Sequence, residues 1–391
     1  MRTGILGDVS ASLTLELRPV SSSPVPAPAP VLPYGRPALR TVQVLGGAGA
    51  GSSAHVRSLT TGLAARGVRV TVCAPVAAEG EYDFTGAGAR FTPDAVSALR
   101  AACAGADLVH AHGVRAGMRA ALAMRGGGRG QVPLVVTWHG GAPEPAGALG
   151  RLSRLLERHV ARAAAVVLGA SSDQVDLARR RGARDARLAA PAVPGGEPAV
   201  DAGKTRAELG AVERPLIVAV GSLVARRGYS VLLDAARAWR VLDPQPLLVI
   251  AGEGPLRAEL ARRIEAEGLP VRLLGRRRDA DLLLAAADVA VVPSRWEGRS
   301  LLAQEALRAG VALVATEVGG VPELVGEAAV LVPYGDSGAL AGAVAALLDD
   351  PDRRAELSAA GRAQAATWPS EDDTVAQVLS VYDELMERRR P

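Results

Sequence analysis

Residues 289–310 read VAVVPSRWEGRSLLAQEALRAG. The four apolar residues Val289–Val292 predict a buried strand, and Pro293 stops it. The Ala/Leu run that follows has helical period and ends at Gly310, a residue suited to a helix C-terminus. The stretch is therefore a strand–loop–helix unit, the building block of parallel sheets.

The same alternation extends to both sides. Before it, strands are predicted at Thr41–Leu45, Val68–Cys73, Asp107–His110, Leu134–Trp138 and Ala165–Leu168, with helices beginning near Ser52, Pro93, Arg115, Ala148 and Ser171. Residues 191–204, PAVPGGEPAVDAGK, have the composition of a hinge. Strands then resume near Leu216–Val220, Leu247–Ile250, Val271–Leu274, Val289–Val292, Ala312–Ala315 and Ala329–Leu331. The expected fold class is α/β, with two Rossmann-like, doubly wound domains at 39–194 and 205–369 facing each other across a cleft. Residues 1–38, with PVSSSPVPAPAPVLPYGRP at 19–37, form a proline-rich disordered tail. Residues 370–391 form a last helix, with Ser370 as N-cap and Glu371, Asp372 and Asp373 in its first turn. The closing Arg388-Arg389-Arg390 suits a helix C-terminus and is also able to touch an anionic membrane surface.

Composition narrows the functions. A chain of 391 residues suits two domains that each bury a core, and Cys73 and Cys103, its only cysteines, exclude a disulfide framework. Both read as small core residues. Net charge is 45 minus 41, or +4, too weak to argue for nucleic acid, and 3% aromatics exclude a base-stacking surface. Lys204 is the sole lysine, so nearly all positive charge is guanidinium, whose planar fork matches phosphate and carboxylate. No apolar run is long enough to span a bilayer, and Met1–Pro19 lacks the features of a signal peptide, so the reading is cytoplasmic.

Ligands of doubly wound sheets bind beyond the carboxyl ends of the strands. Gly46-Gly47-Ala48-Gly49-Ala50-Gly51-Ser52 follows the first strand and lets backbone amides approach an anionic ligand. It is not a dinucleotide fingerprint, because Ser52 stands where a third glycine belongs and the next strand ends without an acid. His55 falls in the first turn of the following helix. His110, His112 and His139 close strands where a ligand can reach them, against the alternative of satisfied structural histidines. His110 and His112 have no carboxylate or cysteine partner in sequence, which argues against zinc. Asp279-x-Asp281 reads as a helix cap rather than a metal pair. Gly221-Ser222-Leu223-Val224-Ala225-Arg226-Arg227-Gly228 is a pyrophosphate clamp or a solvated loop. In the opening stretch, Glu297 lies in the loop and Glu305 in the second helical turn. The amides of Gly298, Arg299, Ser300 and Leu301 point from the helix start, where phosphate is favoured. One carboxylate is suited to sugar hydroxyls and the other to a ribose diol; a capping and a solvated glutamate are the alternative.

These residues resemble the family 4 glycosyltransferases of the GT-B fold. The resemblance rests on Glu297-x7-Glu305, Pro293-Ser294-Arg295-Trp296, Thr316-Glu317-Val318-Gly319-Gly320-Val321-Pro322-Glu323 and Ile250-Ala251-Gly252-Glu253-Gly254-Pro255. In the first half it rests on the glycine-rich start, His55 and Thr137-x-His139-Gly140. It covers roughly residues 40 to 388. It implies retaining transfer of a hexose-type sugar from a UDP- or GDP-sugar, with no cofactor and no bound metal, to a sugar, lipid-linked or small-molecule hydroxyl acceptor, and possible peripheral contact with the inner face of a membrane. Glu297 would stabilise the transition state beside His139. Arg227 would hold the diphosphate with Gly221, Ser222, Gly49, Arg276 and the Gly298–Leu301 amides, and Glu305 the ribose. The last helix would cross back to the first domain. Ser222 replaces the family's usual arginine, Arg226 replaces an acid, and Arg299-Ser300 replaces an aromatic and a glycine. A nucleotide-sugar epimerase and a degenerate sugar-nucleotide-binding protein are the other readings.

Overall fold

The computed structural model describes residues 38–47, 49–125, 132–139, 147–192, 202–277 and 279–389. The proline-rich tail, the centre of the hinge stretch, Ala48, Gly140 and Arg390 lie outside the described residues.

Two parallel sheets carry the chain. The first contains β1 (Arg40–Leu45), β2 (Arg69–Ala74), β3 (Arg90–Pro93), β4 (Leu108–His112), β5 (Leu134–Trp138), β6 (Val166–Gly169) and β7 (Ala186–Leu188), in the order β3-β2-β1-β4-β5-β6-β7. The second contains β8 (Leu216–Val220), β9 (Leu247–Ala251), β10 (Val271–Gly275), β11 (Val289–Val292), β12 (Ala312–Thr316) and β13 (Val330–Val332), in the order β10-β9-β8-β11-β12-β13. Every strand pairing is parallel. Helices cover both faces, so the central strands are apolar throughout; β11 is buried at all four positions. Cys73 and Cys103 are buried and free, packed in the first sheet's core.

Each sheet reverses its winding once, between β1 and β4 and between β8 and β11. The crevices at such points are where ligands enter doubly wound sheets. The loops after β1, β8 and β11, singled out in the sequence, leave strands that border these points, and His139 follows β5, one strand beyond β4. β3 and β7 lie at sheet edges and are short and polar, which is why they carry no apolar run.

The last helix, Glu371–Glu387, returns to the first sheet. Ser370 and Asp373 form a reciprocal capping box at its start. Val375 packs against Gly62 so closely that a Cβ there would lie 2.4 Å from Val375 Cγ2. Val378, Val381, Tyr382 and Leu385 enter the first core, and Glu384 pairs with Arg187 at 2.7 Å. At its C-terminus Arg388 pairs with Glu384 and Arg389 donates to the Asp107 carbonyl. The buried Tyr382 hydroxyl accepts from Gln43 Nε2 (3.1 Å) and bonds His110 Nδ1 (2.7 Å). Tyr382→Phe leaves His110 Nδ1 without its partner and Gln43 Nε2 with Thr41 Oγ1 alone, and is expected to cost about 1–3 kcal/mol, read as a lower urea midpoint.

Candidate active site

Glu297 follows β11 in a loop fixed at its backbone, since its carbonyl accepts from Gly320 N at 2.9 Å. Its carboxylate is almost fully buried, accepts from Ser294 Oγ at 2.7 Å and pairs with Arg227. Arg227 comes from the short turn Ala225–Arg227 after β8. That turn is locked to the β11 loop because Gly228 has φ 69° and a Cβ there would sit 1.8 Å from the Pro293 carbonyl oxygen. Arg295 N also donates to the Arg226 carbonyl at 2.8 Å. The two loops at the second sheet's switch point thus hold carboxylate and guanidinium against each other.

Across the cleft, His139 follows β5. Its Nε2 lies 3.2 Å from His112 Nδ1, and His112 Nε2 lies 3.0 Å from Gln43 Oε1. Gln43 Nε2 donates to the Tyr382 hydroxyl, which also bonds His110 Nδ1, and His110 Nε2 bonds Thr137 Oγ1 at 2.7 Å. Gln43 Oε1 accepts the His112 Nε2 proton, which leaves His112 Nδ1 to accept from His139 Nε2–H. The basic nitrogen of His139 is then Nδ1. Burial, followed by His55 and His110, holds His139 well below the usual histidine range, and burial takes His55 down to about 4. Both imidazoles are neutral near pH 7.

A cavity of about 470 Å³ lies between the two halves. From the first half it is lined by Gly49, Ser52, His55 and His139; from the second by Gly221, Ser222, Arg227, Glu297, Gly298, Arg299, Leu301 and Glu305. Two candidates are absent from this lining. Ser300 is buried and its hydroxyl caps the helix Leu301–Ala309 by accepting from Ala303 N. Arg276 instead forms an ion pair with Glu81 of the first half. Arg299 is turned away, with its guanidinium 5.3 Å from the Trp368 ring centroid and its Nε bonded to Gln304 at 3.2 Å; burial lowers it to about 10. Asp279 occupies an N-cap position, but its carboxylate takes Arg277 at 2.6 and 2.8 Å instead of a helix amide.

Sequence reasoning missed Gln43, Ser294 and Tyr382. Gln43 had a signal, an amide flanked by Val42 and Val44 in a strand, and it is fully buried. Among the described residues, one group of side chains is spaced to hold a metal ion: His55, His112 and His139 each bring a nitrogen within 4.8 Å of the others. His110 is not part of this group; its nitrogens bond Tyr382 and Thr137. The same residues form no zinc pair in sequence because two of the three imidazoles come from other elements.

Two family models match this chain: the glycosyl transferase 4-like domain over residues 50–192 and the glycosyl transferases group 1 over residues 201–364. The D-inositol 3-phosphate glycosyltransferase of Xylanimonas cellulosilytica is 33% identical over 318 residues, 72% of this chain and 73% of that protein. The chain belongs to the group 1, family 4 glycosyltransferases. This glycosyltransferase is also 36% identical over 180 residues to the Corynebacterium glutamicum GDP-mannose-dependent monoacylated alpha-(1-6)-phosphatidylinositol monomannoside mannosyltransferase, a match covering 43% of the chain and 47% of that relative. The match thus spans about half the length of that relative. Its fold is that of Anabaena HepE, solved with UDP and glucose: TM-score 0.76 at 20% identity, covering 88% of this chain and 99% of that one. The fold is therefore GT-B, with the last helix packed on the first domain. Among the described residues no helix is long and apolar enough to cross a membrane.

Proposed function

We propose that this glycosyltransferase moves a hexose from a UDP- or GDP-sugar to a hydroxyl acceptor with retention of anomeric configuration. One observation carries the reading: the buried Glu297 carboxylate, held by Ser294 and Arg227, lines the same cavity as His139 from the opposite sheet. In this reading the donor lies against the second half and the acceptor enters past the first. Glu297 meets the donor sugar hydroxyls as positive charge develops at the anomeric carbon, and His139 Nδ1 accepts from a sugar hydroxyl. Arg227 bridges Glu297 and the diphosphate, which also meets the Leu301 and Leu302 amides at the helix start. The departing phosphate takes the acceptor proton, so no second carboxylate is required. The mannosyltransferase relative and HepE together set the donors to try, GDP-mannose and UDP-glucose. Nucleotide release from both, with Glu297→Ala as control, tests the reading; equal release by the two proteins rejects it.

Glu305 supplies a pH signature. Burial, then Asp281, pushes its carboxyl from 4.5 up to about 7. A carboxyl whose folded pKa is raised binds more protons folded than unfolded, so its contribution to stability falls as pH rises from 4.5 through about 7. Glu305→Gln is therefore expected to melt higher than wild type at about pH 8, with the difference vanishing at about pH 4. A ribose diol prefers the ionised acceptor, so nucleotide affinity is expected to rise with pH through about 7 in wild type and to lose that slope in Glu305→Gln. Calorimetry across this range reads both proteins.

A further inference from the structure

The helix Ala148–Ala163 follows the segment leaving His139 and seats only a narrow face on the first sheet. Its buried residues are Gly150, Glu157, Val160 and Ala161. At about 100° per residue these occupy one arc, and Leu149, Leu152, Leu155 and Leu156 occupy the arc that adjoins it. An amphipathic helix of a globular protein normally turns such a stripe inward. Here the four leucines are 69%, 53%, 63% and 38% exposed.

Beside the leucine stripe runs a second row, Arg151, Arg154, Arg158 and Arg162, all exposed. Arg180 and Arg181 of the next helix share one groove with them. The sole acid of the helix, Glu157, is buried and paired with Arg181 at 2.7 Å, so the outer face carries no negative charge of its own. A contiguous apolar stripe of this size marks an interaction surface, and the adjoining charge selects the partner. A second copy of this chain would bring two arginine rows together, which repels. An anionic lipid surface satisfies both rows at once, with leucines at the acyl boundary and guanidinium groups at the phosphates.

We infer that the helix Ala148–Ala163 docks the protein on an anionic phospholipid membrane. Docking there brings the first half of the protein to the bilayer and favours a lipid-linked acceptor; this consequence rests on the function proposed above, whereas the docking does not. The test is co-sedimentation of the full chain with vesicles of mixed phosphatidylglycerol and phosphatidylcholine, against phosphatidylcholine alone, with no donor present. Wild type is expected to pellet with the anionic vesicles and to be released by high salt. Leu152→Ser/Leu155→Ser and Arg151→Glu/Arg158→Glu are each expected to bind at least about tenfold more weakly. Val241→Ser, which alters an exposed apolar residue of the second half, is expected to bind like wild type. All the altered residues are exposed, and circular dichroism verifies that each variant is folded. Equal pelleting of all four proteins, no pelleting of wild type, or wild-type dimerisation abolished by the leucine changes overturns the inference. Because no donor is used, these outcomes are independent of whether sugar transfer occurs.

Discussion

Glu297→Gln is expected to lower sugar transfer by about 10²–10³-fold, with a much smaller change in donor KM. Glutamine preserves the volume and still accepts from Ser294 Oγ, which lies 2.7 Å from Glu297 Oε1 in the wild type. What it removes is a full negative charge on an almost fully buried side chain. That charge has little to act on in the neutral ground-state sugar and most to act on when the anomeric carbon becomes cationic, so the loss falls on kcat. Arg227 and Ser294 both bond the same Glu297 oxygen, so the pH profile is what separates a proton carrier from an electrostatic group. A general base would show its loss as a changed acid limb of the pH profile; an electrostatic group lowers the whole profile. Steady-state nucleotide release over a range of pH, with GDP-mannose and UDP-glucose, distinguishes them. A variant with unaltered kcat would remove Glu297 from the reaction.

How far the molecule was readable depended on whether a feature was local. The strand Val289–Val292 was predicted to the residue because an apolar run between Asp288 and Pro293 has one solution. The last helix announced its start through Ser370 and Asp373 three positions apart. β3 and β7 gave no signal, since edge strands with half-exposed residues lack the apolar pattern that reveals a central strand. The chain behind His139 was invisible for a different reason. Gln43 and Tyr382 are 339 positions apart and touch only because the last helix returns to the first sheet. Arg276 shows what local reading leaves out: a guanidinium after a strand end was a fair phosphate candidate, and tertiary structure places it in an ion pair with Glu81 of the first half. Ser300 was correctly placed at the helix start, yet a serine there caps the helix and turns its hydroxyl inward.

Arg227→Met is expected to destabilise the fold by about 3 kcal/mol as well as to weaken donor binding, and the two effects are separable. The ion pair joins a carboxylate side chain that is 7% exposed to a guanidinium that is 23% exposed. Removing the cation leaves Glu297 buried with Ser294 as its one remaining side-chain donor, a loss at the lower end of the range for a broken buried pair because water in the cleft reaches part of the site. Arg227→Met/Glu297→Gln deletes both charges and is expected to recover most of the lost stability while remaining inactive. Urea denaturation of the four proteins closes the double-mutant cycle. Arg227→Lys separates charge from shape: an ammonium can still neutralise Glu297 or a diphosphate, but it lacks the fork that reaches both at once. Its stability is therefore expected to lie near wild type and its donor KM above it. If Arg227→Met were as stable as wild type, the pair would contribute no net stability, and if its donor KM were also unchanged, Arg227 would not be the diphosphate ligand.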